Sequence, residues 1–407
     1  MSVAEGGFGR VLYITHNGLT EPLGRRQVLP YLTGLSARGW RLTVISFEKR
    51  ETAVPEALAR VTEIASAAGI LWRPLRYHNR PPVVGTAGDI SRGLVSALRL
   101  ARHADLIHAR STVPALMARL TAAGVRIPWI FDLRGLLAQE YVDAGHWHRN
   151  GWLTRLTAAV ELKLIRSADG LVTLTRRVVE DLPRPPAAAG CRRETVIPCS
   201  VDLDVFRPSE SWRREVRSEL GWGDEPVLVY SGSLGSWYKL GEMLDFFETA
   251  RRATRGLRFL LLTPQTDIAE DAARLRGLAP VVSARKLAPD AVPRHLAACD
   301  AGICFLGRHA SKIASSPTKY GEYLAAGLPV ITNGWIGDAA ALAHEKGWIL
   351  VDDFGDAAYS QATTRLARLL ATPASTRASA RELAKREFAL ETAIDRYDAL
   401  YRRVLAR

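Results

Sequence analysis

The sequence lacks the features that mark secreted, membrane-spanning or zinc-binding proteins. Only four cysteines occur among 407 residues, and they form no Cys-x-x-Cys pair and have no His at zinc-ligand spacing: Cys191, Cys199, Cys299 and Cys304. Isolated reduced thiols are therefore expected. There is no run of about 18 apolar residues, and the stretch from Met1 to Asn17 lacks the apolar core of a signal peptide. A cytoplasmic protein is predicted.

Several enzyme signatures are also missing. No Gly-x-Gly-x-x-Gly follows a strand, and Gly6-Gly7-Phe8-Gly9 lies before the first strand, on the wrong side for a phosphate loop. This argues against NAD binding. No Gly-x-Ser-x-Gly elbow occurs, and the nine histidines show no hydrolase or nuclease arrangement. Asp202-Leu-Asp204 and Asp352-Asp353 are better explained as linker and strand-end residues than as metal ligands. No essential metal is predicted.

Positive charge is concentrated in the first half of the chain. The formal net charge is +13; residues 1–200 hold 27 basic and 16 acidic residues, a net +11, while the rest hold 28 and 26, a net +2. A basic half attracts nucleic acid, phosphorylated substrates or an anionic membrane. The basic residues are scattered and not clustered with aromatics, which disfavours nucleic acid. A generally basic surface with no specific partner is the alternative.

Short apolar strands alternate with helical patterns in both halves of the chain. The strands are expected near Val11–Thr15, Leu42–Phe47, Leu106–Ala109, Trp129–Leu133, Leu171–Leu174, Val196–Ile197, Val227–Gly232, Phe259–Thr263, Ala301–Leu306, Pro329–Thr332 and Trp348–Val351. The helices are expected near Gln27–Arg38, Val113–Ala123, Leu240–Arg255, Lys319–Ala326 and Asp356–Leu370. Unbroken apolar strands with intervening helices predict an α/β protein with two doubly wound parallel sheets.

The boundary between the two predicted domains falls in the Pro-, Ala- and Gly-rich stretch Pro183–Arg207. This gives a first domain over residues 1–198 and a second over 199–388. Residues 389–407 form a third segment, whose apolar side chains recur at helical spacing. A helix this amphipathic must dock on another part of the chain.

Ligands of doubly wound folds bind beyond the carboxyl ends of the strands. After the first strand come Asn17 and Gly18, and then Gly24-Arg25-Arg26-Gln27, which is expected to open a helix. A glycine-bearing loop that meets a helix start with two arginines could hold an anionic group. Asp132 and Arg134 end another strand, and they are either a structural ion pair or contacts to a sugar or an acceptor.

The strongest pattern lies in the second half. Gly232 and Ser233 follow a strand, and Lys239 begins a helix, where a lysine is unfavourable unless an anion compensates it. Further on, Ser316 is a suitable N-cap and Pro317 a suitable first helical residue. The free amides of the first turn, with Lys319, would bind phosphate oxygens, and Glu322 would bind the ribose hydroxyls. An ordinary capped surface helix with a Lys/Glu pair is the alternative.

In this order these segments resemble the glycosyltransferase family 4 group of GT-B enzymes. The resemblance rests on Val11–Thr15, Ile197-Pro198-x-x-Val201-Asp202-x-x-x-Phe206-x-Pro208, Gly232–Lys239, Ser316–Gly327-Leu-Pro-Val and Arg396-Tyr397-x-x-Leu400-Tyr401. It implies two facing Rossmann-like domains with the active site between them, and a final helix that crosses back to the first domain. It also implies retaining transfer of a sugar from a nucleotide-diphosphate donor, usually without a metal.

Carried over by position, Glu322 matches the second glutamate of the family's Glu-x7-Glu motif, and Lys239 matches its diphosphate-binding lysine. Three positions depart from the family's pattern. The first glutamate falls at Ala314, the arginine that accompanies the lysine falls at Ser233, and the family's frequent strand-end His is replaced by Asp132. We infer that Lys319 and Lys312 supply the missing positive charge.

The predicted catalytic residues are Lys239, Lys319 and Asp132. The predicted donor-binding residues are Gly232, Ser233, Lys286, Ser315, Ser316, Thr318 and Glu322. The predicted acceptor-binding residues are Asn17, Gly18, Arg25 and Arg134.

The expected partners are a UDP- or GDP-linked sugar, a glycan or lipid-linked acceptor and an anionic membrane surface, with no nucleic acid and no bound cofactor. The expected transfer is of a hexosyl or N-acetylhexosaminyl group. Two other functions stay open from the sequence: a GT-B-fold nucleotide-sugar epimerase, and a non-enzymatic basic protein that binds anions or nucleic acid.

Overall fold

A computed structural model describes residues 8–78, 82–181, 193–235 and 237–406. Predictions that involve Cys191 or the stretch 183–192 lie outside these residues. Contacts divide the chain into two compact units. The first unit consists of Met1–Pro198 with Ala393–Arg407, and the second of Cys199–Thr392.

The first unit is built on a parallel sheet whose strands follow the order β3-β2-β1-β4-β5-β6-β7. The strands are β1 (Gly9–Thr15), β2 (Trp40–Glu48), β3 (Leu71–Arg76), β4 (Leu106–Arg110), β5 (Trp129–Leu133), β6 (Gly170–Thr173) and β7 (Arg193–Val196). The central strands β4 and β5 are buried along their whole length. Strands that are covered on both faces need apolar side chains at consecutive positions, which is why they appear in the sequence as unbroken apolar runs.

Helices connect these strands and cover the sheet. They are α1 (Pro22–Gln27), α2 (Leu29–Ala37), α3 (Pro55–Ala67), α4 (Pro82–Ala101), α5 (Thr112–Val125), α6 (Leu137–Asp143), α7 (Trp152–Ser167) and α8 (Arg176–Asp181). The core of one face is formed by β-strand residues such as Leu12, Phe47 and Phe131 against Met117 and Leu164 of α5 and α7.

The second unit contains another parallel sheet, with the strand order β10-β9-β8-β11-β12-β13. Its strands are β8 (Val227–Ser231), β9 (Arg258–Leu262), β10 (Val282–Arg285), β11 (Ala301–Cys304), β12 (Val330–Thr332) and β13 (Trp348–Leu350). Its helices are α9 (Glu210–Glu219), α10 (Leu240–Ala253), α11 (Thr266–Leu275), α12 (Val292–Ala297), α13 (Thr318–Ala325), α14 (Asp356–Leu370) and α15 (Pro373–Leu383). Val227 and Val229 face one apolar core and Leu228 and Tyr230 the other, so both faces of this sheet are covered.

The last helix, α16 (Leu390–Leu405), contributes Ala393–Arg407 to the first unit. Ile394 packs so closely on α2 that a Cβ added to Gly34 would lie 2.2 Å from its Cδ1. Asp398 accepts a hydrogen bond from Trp40 Nε1 at 2.7 Å, and Tyr401 Oη lies 2.6 Å from His108 Nδ1. The predicted α/β class and the return of the final helix to the first domain are confirmed.

Several local details differ from the sequence prediction. Strands β3 and β10 and helix α4 were not expected; the helix expected over Gln27–Arg38 is α2, and the short helix α1 before it was not expected. Arg25 and Arg26 do not open a helix but lie in the last turn of α1, where the helix dipole favours cations. Pro317, not Ser316, is the N-cap of α13, and the Ser316 hydroxyl instead accepts a hydrogen bond from the Cys199 amide at 3.3 Å.

Each sheet has one place where the strand order reverses. In the first sheet this switch lies between β1 and β4, and in the second it lies between β8 and β11. At such a switch the connections leave in opposite directions and open a crevice at the carboxyl ends of the strands, where ligands of this fold class bind. The loops after these four strands are therefore the first places to look for a site.

Candidate functional site

Two loops meet at the switch point of the second sheet. We call residues 232–235 and 237–239 the β8 loop and residues 305–317 the β11 loop. The Lys239 amide donates to Phe305 O at 3.0 Å, and the Gly307 amide donates to Trp237 O at 2.8 Å. Tyr238 and Leu306 form an antiparallel bridge between them. These bonds hold the two loops together as one surface at the carboxyl edge of the sheet.

The β8 loop begins with a glycine turn that approaches a lysine. Gly232 has φ +139°, a conformation that side-chain-bearing residues rarely adopt, and a Cβ added there would lie 3.1 Å from Lys319 Nζ. The adjacent Ser233 carbonyl accepts a hydrogen bond from Tyr230 Oη at 2.6 Å. The structure thus brings the predicted residues Gly232, Ser233 and Lys319 together.

Two lysines at this site are buried, each over an aromatic ring of the β8 loop. Lys312 is 2% exposed with Nζ 3.4 Å from the centre of the Trp237 ring, and Lys319 is 5% exposed with Nζ 3.8 Å from the centre of the Tyr238 ring. The ring faces attract the ammonium groups electrostatically. Burial lowers the pKa of Lys319, but the polar rings of Tyr238 and Tyr230 and the Cys304 thiol outweigh it and hold that pKa above its ordinary value.

Other predicted donor-binding residues lie in helix α13 or just before it. Thr318 and Lys319 occupy the first turn of α13, where backbone amides have no intrahelical acceptor, and Glu322 is buried one turn later. Ser315 is half-buried in the β11 loop just before α13, where Ala314 is also buried.

Two predicted lysines lie further towards the surface. Lys239 is the N-cap of α10, with a side chain that is 40% exposed and Nζ 3.6 Å from Glu242 Oε1. Lys286 is exposed just after β10, next to β9 at the outer edge of the sheet. Because Lys239 and Lys286 are more exposed, they are weaker candidates for binding an anion than Lys319 and Lys312.

At the edge of the first sheet, the loop after β1 already binds two carboxylates of the protein. Glu48 accepts hydrogen bonds from the amides of Leu19 and Thr20 at 2.8 and 3.0 Å, and Glu21 accepts one from the Gly18 amide at 2.9 Å. These amides are therefore satisfied within the protein. The proposed anion-holding role of this loop is not supported by its backbone, which leaves the side chains of Asn17 and Arg25, both half-buried, as its available polar groups.

Asp132, predicted to be catalytic, is fully buried in a charged cluster beneath α16. Its carboxylate lies 3.4 Å from both Arg110 Nη1 and Arg134 Nη1, and it accepts a hydrogen bond from Tyr397 Oη at 3.0 Å. Burial raises the pKa of this carboxyl, but Arg134, His108 and Arg110 together hold the pKa well below its usual range. With no exposed surface, Asp132 anchors the last helix rather than contacting a ligand, and Arg134 serves the same cluster.

Sequence reasoning did not find a second buried carboxylate at this edge. Asp89, on α4, is 0% exposed and accepts a hydrogen bond from the His78 amide at 2.9 Å; its carboxylate also pairs with Arg92. His16, directly after β1, has Nε2 3.7 Å from Asp89 Oδ2. Burial lowers the pKa of His16 although Asp89 opposes the shift, so the ring is neutral near pH 7. Only the position of His16 after a strand could have indicated this cluster.

No three His, Cys, Asp or Glu side chains meet as a metal site requires, as far as the structure describes the chain. Likewise, no helix among the described residues combines the length and the hydropathy that a membrane span needs.

Comparisons with known proteins agree with this architecture. Residues 24–199 match the family model of the glycosyl transferase 4-like domain, so this part of the chain is similar to that family. The chain also has the fold of HepE from Anabaena in complex with UDP-glucose, with a TM-score of 0.68 at 15% identity over 97% of this chain and 99% of that one. The comparison with curated proteins gives no match.

Two further solved structures share the fold. Sucrose-phosphate synthase from Thermosynechococcus elongatus has a TM-score of 0.69 at 18% identity over 98% of this chain and 99% of that one. A putative UDP-N-acetylglucosamine 2-epimerase from Listeria monocytogenes has a TM-score of 0.60 at 12% identity, covering 96% and 95%. The chain thus has the predicted GT-B fold, and the predicted resemblance to family 4 is confirmed over residues 24–199.

Proposed function

We propose that the protein moves a sugar, with retention of its anomeric configuration, from a UDP-linked donor to an acceptor hydroxyl, and that the donor diphosphate binds at the start of α13. The observation that carries the proposal is the burial of Lys319 at the start of α13, where the described residues place two tyrosine rings but no carboxylate beside its ammonium. Lysine is rarely buried unless an opposite charge accompanies it. An anionic ligand at this surface would supply that charge.

The groups around the two lysines fit a diphosphate. The amides of Thr318 and Lys319 point out of the start of a helix, which favours anions. Trp237 Nε1 is buried and has no hydrogen-bond partner among the described residues, so it is an unused donor beside the Lys312 ammonium. Glu322 is our candidate for the ribose hydroxyls. UDP is the proposed nucleotide because HepE, of the same fold, binds UDP-glucose.

In this proposal the positively charged lysine side chains stabilise the transition state. As the bond between the sugar and the diphosphate breaks, negative charge grows on the phosphate oxygens, and the fixed ammoniums of Lys319 and Lys312 stabilise it. A preorganised donor of this kind contributes roughly 3–4 kcal/mol to transition-state stabilisation. The leaving phosphate accepts the proton of the acceptor hydroxyl, so no protein nucleophile is required.

For the acceptor we propose the carboxyl edge of the first sheet. Since Asp132 is committed to the buried cluster, the side chains that remain to orient a hydroxyl there are those of His16, Asn17 and Arg25. The Asp89 carboxylate lies 3.7 Å from His16 Nε2. Holding the hydroxyl in line contributes through proximity. His16→Gln should then raise KM for the acceptor with little effect on the KM for the donor.

Thermal shift with UDP-, GDP- and dTDP-sugars tests donor binding, because a ligand that binds only the folded state raises its apparent stability. UDP-sugars should raise the melting temperature of the wild type but not that of Lys312→Ala/Lys319→Ala, whereas the exposed Lys346→Ala should respond like the wild type. Incubation with the donor alone separates transfer from epimerisation, since only an epimerase changes the sugar without an acceptor.

A further inference from the structure

Helix α7 begins with apolar side chains in contact with solvent. Trp152 is 71% exposed, more than any other large apolar residue described in the first unit, and Leu156 is 54% exposed. Tyr141, at the end of the preceding helix, is 40% exposed and packs on Trp147. Large exposed apolar groups are unfavourable in water, and a group of them marks a surface that binds something.

These side chains belong to one face of the helix. Residues that follow Trp152 by 3, 4, 7, 11 and 14 positions lie on the same side of an α-helix as Trp152. In α7 this set is exposed throughout, and we call it the α7 stripe: Trp152, Arg155, Leu156, Ala159, Lys163 and Arg166. The opposite face carries the buried residues Glu161, Leu164 and Ile165. The stripe is therefore a face without a described partner, on a helix whose other face is fixed in the core.

Positive charge surrounds the apolar groups with no exposed acid to balance it. Between residues 144 and 167 the basic residues are Arg149, Arg155, Lys163 and Arg166, all exposed. The one acid there, Glu161, is 5% exposed and accepts hydrogen bonds from Thr112 Oγ1 and the Leu137 amide at 2.9 and 2.8 Å. An aromatic and aliphatic strip flanked by bases is typical of a helix that lies in the interface of an anionic bilayer.

The neighbouring helices α4 and α5 also carry basic residues without exposed acidic residues. Helix α5 packs between α4 and α7. The two helices α4 and α5 together carry Arg92, Arg99 and Arg119, and their only acid is Asp89, which is 0% exposed. This layer of three helices thus presents bases and no acid to solvent, and it accounts for part of the excess charge of the first half.

The start of α7 also lies beside the carboxyl edge of the first sheet. Glu161 bonds to Thr112, directly after the end of β4, whereas Ser167 bonds to Arg119 further along α5. Trp152 precedes Glu161 by nine residues, so at 1.5 Å per residue it lies roughly 13 Å beyond that level, past the edge of the sheet. This is the edge that we assign to the acceptor.

We propose that the α7 stripe docks on an anionic lipid surface and holds the acceptor edge of the first unit against it. Trp152 and Leu156 enter the boundary between headgroups and acyl chains, and Arg155, Lys163 and Arg166 pair with lipid phosphates. The docking itself is independent of catalysis; only its use in meeting a lipid-linked acceptor rests on the proposed function.

The test is sedimentation of the full chain with vesicles of phosphatidylcholine, alone or with phosphatidylglycerol. Binding should require the anionic lipid and should weaken at high salt. Trp152→Ala/Leu156→Ala and Arg155→Glu/Lys163→Glu should each reduce binding roughly tenfold or more. The matched controls lie in the second unit: Ile268→Ala/Leu275→Ala removes exposed apolar groups, and Arg251→Glu/Arg255→Glu makes the same change of charge. Both controls should bind like the wild type.

Two results would overturn the docking proposal. One is unchanged vesicle binding by Trp152→Ala/Leu156→Ala with a wild-type melting temperature. The other is that the wild type is an oligomer, that Trp152→Ala/Leu156→Ala is a monomer, and that neither protein binds lipid. The stripe would then be an interface between protein copies. A UDP-induced rise in melting temperature, measured on every variant, reports on the donor site separately. Vesicle binding with no response to any nucleotide sugar would leave the docking intact and contradict the proposed function.

Discussion

Lys312 and Lys319 lie over rings that stand next to each other in the sequence, Trp237 and Tyr238. For Lys319, beside which the described residues place no carboxylate, the ring face offers some electrostatic compensation but no full countercharge, so the site stays attractive to an anion. The carboxylate that family 4 enzymes usually place at position 314 would have neutralised part of this charge. With Ala314 instead, the site favours a strongly anionic ligand.

The roles of the Tyr238 ring and its hydroxyl can be separated. Tyr238→Phe keeps the ring face under Lys319 and should retain most donor binding, whereas Tyr238→Leu removes it and should weaken binding about fivefold to thirtyfold, as expected for a desolvated cation–π contact. Isothermal titration with UDP measures both. Equal losses in the two variants would show that the hydroxyl, and not the ring, holds the lysine.

Gly232 allows a test of the close approach to Lys319. Gly232→Ala adds a Cβ at 3.1 Å from Nζ in a backbone conformation with φ +139°, so both stability and UDP affinity should fall. Gly277 also has a positive φ, of +67°, but nothing lies within 4 Å of an added Cβ. Gly277→Ala should therefore lose about 1 kcal/mol of stability from strain and keep its UDP affinity. Equal UDP affinity in both variants would contradict the placement of Lys319 beside the turn.

At the scale of elements, α16 depends on a buried charge cluster in the first unit. Asp132→Asn removes the countercharge of the buried Arg110 and should lower the free energy of unfolding by about 3–5 kcal/mol. Tyr397→Phe removes only one hydrogen bond and should cost about 1–2 kcal/mol. Urea denaturation measures both, and a smaller loss in Asp132→Asn than in Tyr397→Phe would rule out the anchoring role.

The Asp132 carboxyl should also make the free energy of unfolding depend on pH. Because the folded pKa of Asp132 lies below its ordinary value of 3.8, the stability that it contributes is fully present above pH 3.8 and is lost as the pH falls below it. The difference in unfolding free energy between the wild type and Asp132→Asn should thus be constant near neutral pH and shrink under more acidic conditions. A difference that grows on acidification would reverse the sign of the assigned shift.

The elements that were predicted well from the sequence are those with one clear pattern of apolar residues. Trp129–Leu133 and Asp356–Leu370 match the structure residue for residue, since an unbroken apolar run and a long amphipathic pattern leave little ambiguity. Strand β3 was missed because its residues, which include Pro74 and two arginines, are mostly exposed at the edge of the sheet. Sequence spacing placed Lys319 and Glu322 on one helix, as the structure does, but it could not show Trp237 under Lys312, because that contact joins loops 75 residues apart.

At the scale of the whole molecule, the two units differ in how they are assembled from the chain. The second unit, Cys199–Thr392, is continuous and contains two apolar cores and all the proposed donor residues. Expressed alone, residues 199–392 should unfold cooperatively and bind UDP within about tenfold of the full chain.

Residues 1–198 alone should behave differently. Without α16, the apolar face formed by Gly34, Trp40 and His108 is uncovered, so this fragment should aggregate or stay partly folded. Adding a peptide that spans residues 390–407 should restore its solubility. A soluble, cooperatively folded 1–198 fragment would show that the last helix is dispensable.

This discontinuous first unit has a consequence for synthesis on the ribosome. Domains generally fold from the amino terminus while translation continues, but here the first sheet must wait for Ala393–Arg407, which are translated after the whole second unit. The second unit can complete its fold earlier, although it is translated later. A chain truncated after Thr392 would thus carry a finished second unit and an unfinished first unit, and cellular quality control would remove it for that exposed surface.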